Sequence, residues 1–563
     1  MKTLRPKIPL DGFWRFALDP KGVGEAEGWY RGVPGGEAVY VPASWNEQNP
    51  EWDQYGGIAW YQRDFYAYPE LAGKLAWAVF EGAGYRAKVW LNGEYIGGHE
   101  GSFTAFRLKA PVKPGENRLV VEIDNTLTKD AVPPGEGFNE TYFDFFHYGG
   151  IHRPVYIEFT SDKYIEDLVI ETSHLGDLSI SVSASCQGEC RIKAKLLDDG
   201  REAARFEVPV KGGRGQYRGR VEGVRPWSPE DPKLYELRVE LYWGDALADA
   251  VYERVGFRTF EVKGRELYLN GRPIFLAGVN RHEDFPAFGR RLPGPALIRD
   301  FHLMKRLGVN AFRTSHYPYS EEHLDLADEM GFLVILEAPI VGVREEHFKD
   351  RAYLERAKAV LAEMIKQHRN RPSVVMYSIA NEPESAAEGA REFLEELAQY
   401  AKSLDPTRPV LYTSHRHLAD RALGVGDVIA LNMYYGWYSY SGDIEAGVRA
   451  AAEVLREVRR RFPEKPILIT EFGADAIYGL HHDPPVVWSE EYQAAFLRRY
   501  IEELSGEVAG MFIWNFADFR TPQGRRGPLR PIYNRKGIFT RDRQPKASAP
   551  AVAELYKRLS RRG

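Results

Sequence analysis

Two β-sandwiches followed by a (β/α)8 barrel of the TIM type is the architecture the sequence predicts, on three observations. The 563 residues exceed what one hydrophobic core supports and fit about three domains of ordinary size. The first half is written in short alternating apolar and polar runs broken by turn residues, the pattern of half-buried strands. After about residue 258 apolar runs alternate with helical segments, the pattern of strand-then-helix units.

Residues 1–160 carry the runs KLAWAVFEGAG, YRAKVWLNGEYIGG, NRLVVEIDNT and RPVYIEFT, and predict a jelly-roll-like sandwich. Asn92-Gly93 inside the second run supplies the positive φ values of a tight two-residue hairpin. Residues 161–258 repeat the strand spacing in LSISVSASC, CRIKAKLLDD and LYELRVELYW, which predicts an immunoglobulin-like sandwich acting as spacer and support.

From residue 259 to 563 the candidate strands are IFLAGVN, AFRTSH, FLVILEAP, SVVMYSIAN, PVLYTSH, VIALNMYY, ILITEFG and GMFIWNF, the complement of one closed barrel. The clearest helix runs over 351–370, where Leu354, Ala357, Leu361, Met364, Ile365 and His368 recur at steps of three and four, with Asn370 and Pro372 as its stop.

Composition narrows the function classes. The net charge of −5 leaves no long-range positive field for nucleic acid or an anionic membrane. No run is long and apolar enough for a membrane span, and the opening MKTLRPKIPLDGFW has no apolar leader segment, so the expected location is the cytoplasm. Cys186 and Cys190 are too few ligands for a zinc site and read as two thiols or a local disulfide. The 12 Trp, 32 Tyr and 29 Phe suit packed sheets and equally a cleft that stacks sugar rings.

In a barrel of this kind the chemistry sits at the C-terminal ends of the strands. Two strands deliver Glu there: SVVMYSIANEP gives Asn381 and Glu382 on the fourth, and PILITEFG gives Glu471 on the seventh. Two carboxyls sharing one cleft are the minimum equipment of glycoside hydrolysis, one protonating the departing oxygen and the other attacking the anomeric carbon or activating water. A strand-end Glu that merely pairs with a nearby Arg is the plain alternative for either residue alone.

SIANEP and ITEFG, together with YFDFFHYGGIHRPV, GVNRHED, RTSHYPY, LNMYYGWY, VWSEEYQ, WNFADF and NRKGIFTRDR in order, are similar to glycoside hydrolase family 2, and the chain resembles that family's β-glucuronidase branch over essentially its whole length. The resemblance makes the first sandwich sugar-binding-like. It implies Glu382 as general acid/base and Glu471 as nucleophile of a retaining double displacement. The carboxyls would then stand only about 5–5.5 Å apart, and Glu382 would hold its proton as substrate arrives, its pKa raised by the Glu471 charge and by desolvation. Asn381 would bind the sugar 2-OH, Tyr434 would position the nucleophile, and Tyr438 would meet the sugar or its carboxylate.

By the same resemblance Asp144 reaches the barrel mouth to bind hydroxyls, His316 lines the pocket floor, and Trp514 is a stacking platform, a core Trp being the competing reading. Arg281, in the Arg281-His282-Glu283-Asp284 cluster, would support the carboxylates electrostatically. No metal and no cofactor are implied. RPIYNRKGIF, which composition alone reads as a solvated basic turn, becomes a clamp: Asn534 and Lys536 take the C6 carboxylate, Arg530 adds to the cationic wall, and Arg535 stays in solvent.

Two departures from the pattern stand out. Met433 occupies a position where some bacterial relatives carry Arg, and the short stretch 337–357 leaves little room for a long active-site loop, which predicts an open mouth tolerant of varied or larger aglycones. The expected substrate is a small-molecule or oligosaccharide β-glucuronide, hydrolysed by a homo-oligomer that takes no nucleic acid and no membrane as partner. A β-galactosidase or β-mannosidase would have no need of the Asn534 and Lys536 clamp, whereas a β-galacturonidase would keep it. A carbohydrate-binding protein with a dead barrel is the reading from outside enzymology, and both Glu residues argue against it.

Overall fold

The computed structural model describes residues 2–138, 140–186, 190–523 and 530–560. In the first sandwich a six-stranded antiparallel sheet centred on Ile58–Ala67 and Gly115–Asp124 faces a four-stranded sheet centred on Leu75–Phe80 and Val155–Thr160. Alternation turns Trp14, Phe16, Tyr61, Phe80, Val89, Leu119 and Val121 into the shared core. Asn92 and Gly93 have φ of 54° and 84° and join Arg86–Leu91 to Glu94–Glu100 in the expected hairpin.

The second sandwich packs a five-stranded against a four-stranded sheet around Ile180, Ala194, Leu237 and Val251. Cys186 and Cys190 are joined as a disulfide, the second of the two readings the spacing allows. Lys2–Thr3 pairs with Ala246–Val255 of this sandwich rather than with the first. Arg5 explains the exchange: buried, it binds Glu158 of the first sandwich at 2.9 Å and Asp249 of the second at 2.8 Å.

Eight parallel strands close the barrel: Leu276–Asn280, Ala311–Arg313, Leu333–Glu337, Val374–Asn381, Val410–Ser414, Ile429–Asn432, Ile467–Phe472 and Gly510–Ile513. Each lies within one of the eight apolar runs. Leu276, Leu333, Ile335, Met376, Leu411, Leu468 and Phe512 belong to an apolar cluster that Trp227, from the end of the second sandwich, also joins. The Arg351–His368 helix buries all six residues of its predicted stripe. It stops two residues before Asn370, whose amide instead docks the second sandwich by bonding Leu168 O and Ile170 N at 2.8 and 2.9 Å.

The first sandwich grips the barrel mouth. Arg153 is buried and reaches Glu283 at 2.9 Å and the carbonyls of Phe103 and Pro318 at 2.6 and 2.7 Å. Phe103 stacks on Tyr317 at 4.3 Å, and Phe145 packs against His282, His316 and Tyr317. Phe143 and Phe145 are thus part of the barrel's own core, which carries Asp144 between them to the strand ends.

Candidate active site

The strand ends open into a cavity of about 610 Å³ that Glu382 and Glu471 both line, with Asp144, His316, Asn381, Tyr434, Tyr438, Trp514 and Arg530. Glu471 lies inside the seventh strand and is only 4% exposed. Both of its oxygens are occupied: Arg313 Nη1 donates to Oε1 at 2.9 Å and the Tyr434 hydroxyl to Oε2 at 2.7 Å. Burial raises its pKa, the charge of Glu382 adds to the rise, and Arg313 and His316 oppose it.

Glu382 is the first residue past the fourth strand and has φ of +47°, a conformation that costs a non-glycine residue about 1–3 kcal/mol. Its N–H donates to Thr413 O at 2.9 Å, and Asn432 Nδ2 donates to its Oε1 at 2.7 Å. The two carboxyls therefore sit in different settings, one pinned by a guanidinium, the other held by a neutral amide.

Arg313, at the end of the second strand and fully buried, organises the floor. Besides Glu471 it binds Glu337 through two nitrogens at 2.7 and 3.0 Å, Asn280 Oδ1 at 3.0 Å and Asn381 Oδ1 at 2.6 Å. Glu337 ends the third strand and also takes His316 Nδ1 at 2.8 Å and the Ser378 hydroxyl at 2.6 Å. Three strands, not two, thus deliver a Glu to this end of the barrel. The run FLVILEAP announced the third, but only its full burial beneath the cavity, which Glu382 and Glu471 line, separates a structural Glu from the other two.

Arg281 does not support either carboxylate. Its guanidinium turns away to Asp300 at 2.5 Å, and Arg313 takes the place expected of it. The rest of that cluster disperses as well: His282 meets the Tyr317 hydroxyl at 3.1 Å, Glu283 pairs with Arg153, and Asp284 pairs with Arg541 at 2.5 Å. Met433 is fully buried, and its backbone N–H donates to the Glu471 carbonyl at 2.7 Å.

On the cavity's cationic side Asp144 is ion-paired with Arg530, and Arg530 donates to the Tyr438 hydroxyl. Tyr438 is 59% exposed, so this wall is in contact with solvent. Asn534 and Lys536 lie behind it, 0% and 1% exposed. Asn534 Oδ1 accepts from the backbone N–H of Lys536 at 3.1 Å, while Asn534 Nδ2 is buried with no hydrogen-bond partner among the described residues.

Lys536 Nζ reaches the Tyr438 hydroxyl at 3.2 Å and pairs with Asp475, which also accepts from Arg535 N at 2.8 Å. Burial lowers the Lys536 pKa to about 8 against the opposing pull of Asp475, and burial brings Arg530 down to about 10. Arg535 points elsewhere, as expected, but it is half-buried and donates to Pro531 O at 2.9 Å rather than standing free in water. His316 stacks on Trp514 at 5.0 Å with 14° between the planes, which gives both rings one fixed orientation in the lining.

Arg313, Glu337, Asn432 and Asp475 are the residues of this site that sequence reasoning missed. Arg313, Glu337 and Asn432 do close apolar strand runs, a signal that was legible; Asp475 carries none beyond its neighbours.

Residues 260–561 match the model described as "Glycosyl hydrolases family 2, TIM barrel domain", 8–160 its "sugar binding domain" and 163–258 "Glycosyl hydrolases family 2". The chain is 37% identical over 577 residues to a β-glucuronidase of Paenibacillus borealis, covering 96% of this chain and 95% of that one, and 36% identical over 601 residues to the human β-glucuronidase, covering 98% and 91%. It superposes on the β-glucuronidase of Ruminococcus gnavus in complex with D-glucuronic acid with a TM-score of 0.91, at 34% identity and 98% coverage of both chains.

Proposed function

The chain belongs to glycoside hydrolase family 2, and from that membership we propose that it is a β-glucuronidase, cleaving β-D-glucuronides to glucuronate and an alcohol with retention at the anomeric carbon. The relatives in the comparison bear that name along nearly their full length, and one of them is bound to D-glucuronic acid. One observation carries the reading: a single cavity holds two Glu side chains in unlike settings and, on its cationic side, Arg530 and Lys536 converge on one tyrosine hydroxyl.

In the first step Glu382 gives its proton to the glycosidic oxygen as the C1–O bond breaks, and Glu471 forms the new bond to C1. In the second, Glu382 takes a proton from water, whose oxygen displaces the Glu471 carboxylate. Arg313 and Tyr434 hold both oxygens of Glu471, so the attacking oxygen needs no search, and they stabilise the carboxylate again as it departs. Asn381 has its amide oxygen engaged by Arg313, which turns its nitrogen into the donor for the sugar 2-OH.

Recognition of the acid group falls to the far cations. The C6 carboxylate replaces Asp144 at Arg530 and accepts from Lys536, with the Asn534 amide as a neutral donor beside it. Tyr438 orders both cations through its hydroxyl, Trp514 offers its face to the sugar ring, and His316, its Nδ1 held by Glu337, lines the floor.

The test is nitrophenol release from 4-nitrophenyl β-D-glucuronide against the β-galactoside, β-mannoside and β-galacturonide, with Glu471→Ala and Glu382→Ala as controls. The glucuronide is hydrolysed fastest, both variants lose turnover, and the first-formed anomer seen by NMR is β. Silence on the glucuronide would sink the reading.

Among the described residues no helix is long and apolar enough to cross a membrane.

A further inference from the structure

Beyond Glu382 the cavity wall carries a charge that the hydrolysis above does not use. Glu384 stands two residues past Glu382, and its N–H donates to Val343 O at 2.9 Å, which ties the 341–344 segment to the loop of the proposed acid. Arg344, next in the chain, lines the same cavity and lays its guanidinium over the Tyr142 ring, 3.4 Å from the centroid. The carboxylates of the lining other than Glu382 each have a cation: Asp144 has Arg530, Glu384 has Arg416 and Glu471 has Arg313.

Arg344 has no ion-pair partner among the described residues. Of the acids around it, Glu345 is paired with Lys349 at 2.7 Å, Glu346 is exposed, and Glu136 is held by the Tyr142 hydroxyl and lies 3.6 Å from Lys129. On the next loop His415 lines the cavity just before Arg416, and its Nδ1 is buried without a hydrogen-bond partner among the described residues. A guanidinium flattened on an aromatic face keeps its N–H edge for a ligand, in the planar fork that fits a carboxylate or sulfate.

We propose that this wall is an aglycone subsite selective for leaving groups that carry an anion, with Arg344 as the specificity-determining residue and His415 as a second polar contact. Glu382 protonates the bridging oxygen, so the departing group lies on its side of the cavity, and an acidic substituent there meets Arg344. The inference rests on the glucuronidase reading and names the class of glucuronide that reading leaves open.

The experiment compares kcat/KM for 3-carboxyphenyl and 3-carbamoylphenyl β-D-glucuronide, which differ in charge and little in shape, in the wild type and in Arg344→Gln. A charge-assisted contact favours the carboxylate by roughly tenfold or more, chiefly through KM. Arg344→Gln brings the ratio close to one. Because the ratio is taken within one preparation, the fraction of folded variant does not enter it.

A second arm sets glucuronate β-linked to a uronic acid against the same disaccharide with a neutral second sugar, and so tells an acidic oligosaccharide from an aryl acid. Anion preference in either arm that vanishes in the variant supports the proposal. Equal rates in both arms, or a preference that survives Arg344→Gln, overturns it. Turnover of none of these glucuronides overturns the glucuronidase reading along with it.

Discussion

Lys536 is an ammonium taken almost wholly out of water, and what stays beside it decides whether it keeps its proton. Burial pulls its pKa down to about 8 and Asp475 pulls it back up. The sign follows: below about pH 8 the lysine is charged and attracts the uronate, and above it the attraction is lost. We expect kcat/KM on glucuronides to fall as pH rises through about 8, and Lys536→Ala to lower it by orders of magnitude at pH 7 with an unchanged circular dichroism spectrum. Asp475→Asn removes the raising influence, so its alkaline limb moves to lower pH than the wild type's, a shift read directly from the pH profile. On the acid side Glu471 must be ionised to attack. Its pKa is raised, so the acid limb lies above the pH of an ordinary Glu, near 4.5, and the working window narrows from both ends.

Elements were legible where a local period exists. The Arg351–His368 helix repeats apolar residues at steps of three and four because each must face the barrel, and all of them are buried. Leu361→Ala, at a site with no exposure, should cost about 2–5 kcal/mol and show as a lowered Tm with kcat/KM of the remaining folded enzyme little changed. The eight barrel strands read as continuous apolar runs because each is covered on both sides. Element ends were less legible, since they are set by contacts elsewhere: Asn370 looked like a helix stop and is a dock for the second sandwich. Strand ends also hid a distinction, because Glu337, Glu382 and Glu471 occupy similar sequence positions and only their placement in space sorts them: Glu382 and Glu471 line the cavity and Glu337 is buried beneath it.

For the molecule as a whole, the first sandwich completes the cavity, and Arg153 is its buried fastening. Replacing it by Met leaves Glu283 with His323 as its remaining ionisable partner, and we expect a loss of about 3–5 kcal/mol in thermal unfolding together with weaker substrate binding as the Asp144 loop loosens. A KM that stays at the wild-type value in folded Arg153→Met would show that the loop holds without it. The sequence by itself determined the three architectures, the strand ends that bear Asn381, Glu382 and Glu471, and the basic turn with Asn534 and Lys536, because periodicity and turn chemistry act over neighbouring residues. Tertiary structure alone decided that Arg313 rather than Arg281 holds Glu471, that Asp475 holds Lys536 behind Tyr438, and that Arg344 has no ion-pair partner among the described residues. Those pairings join residues tens to hundreds of positions apart, and an ion pair is fixed by distance in space and by burial, neither of which a single chain of letters records.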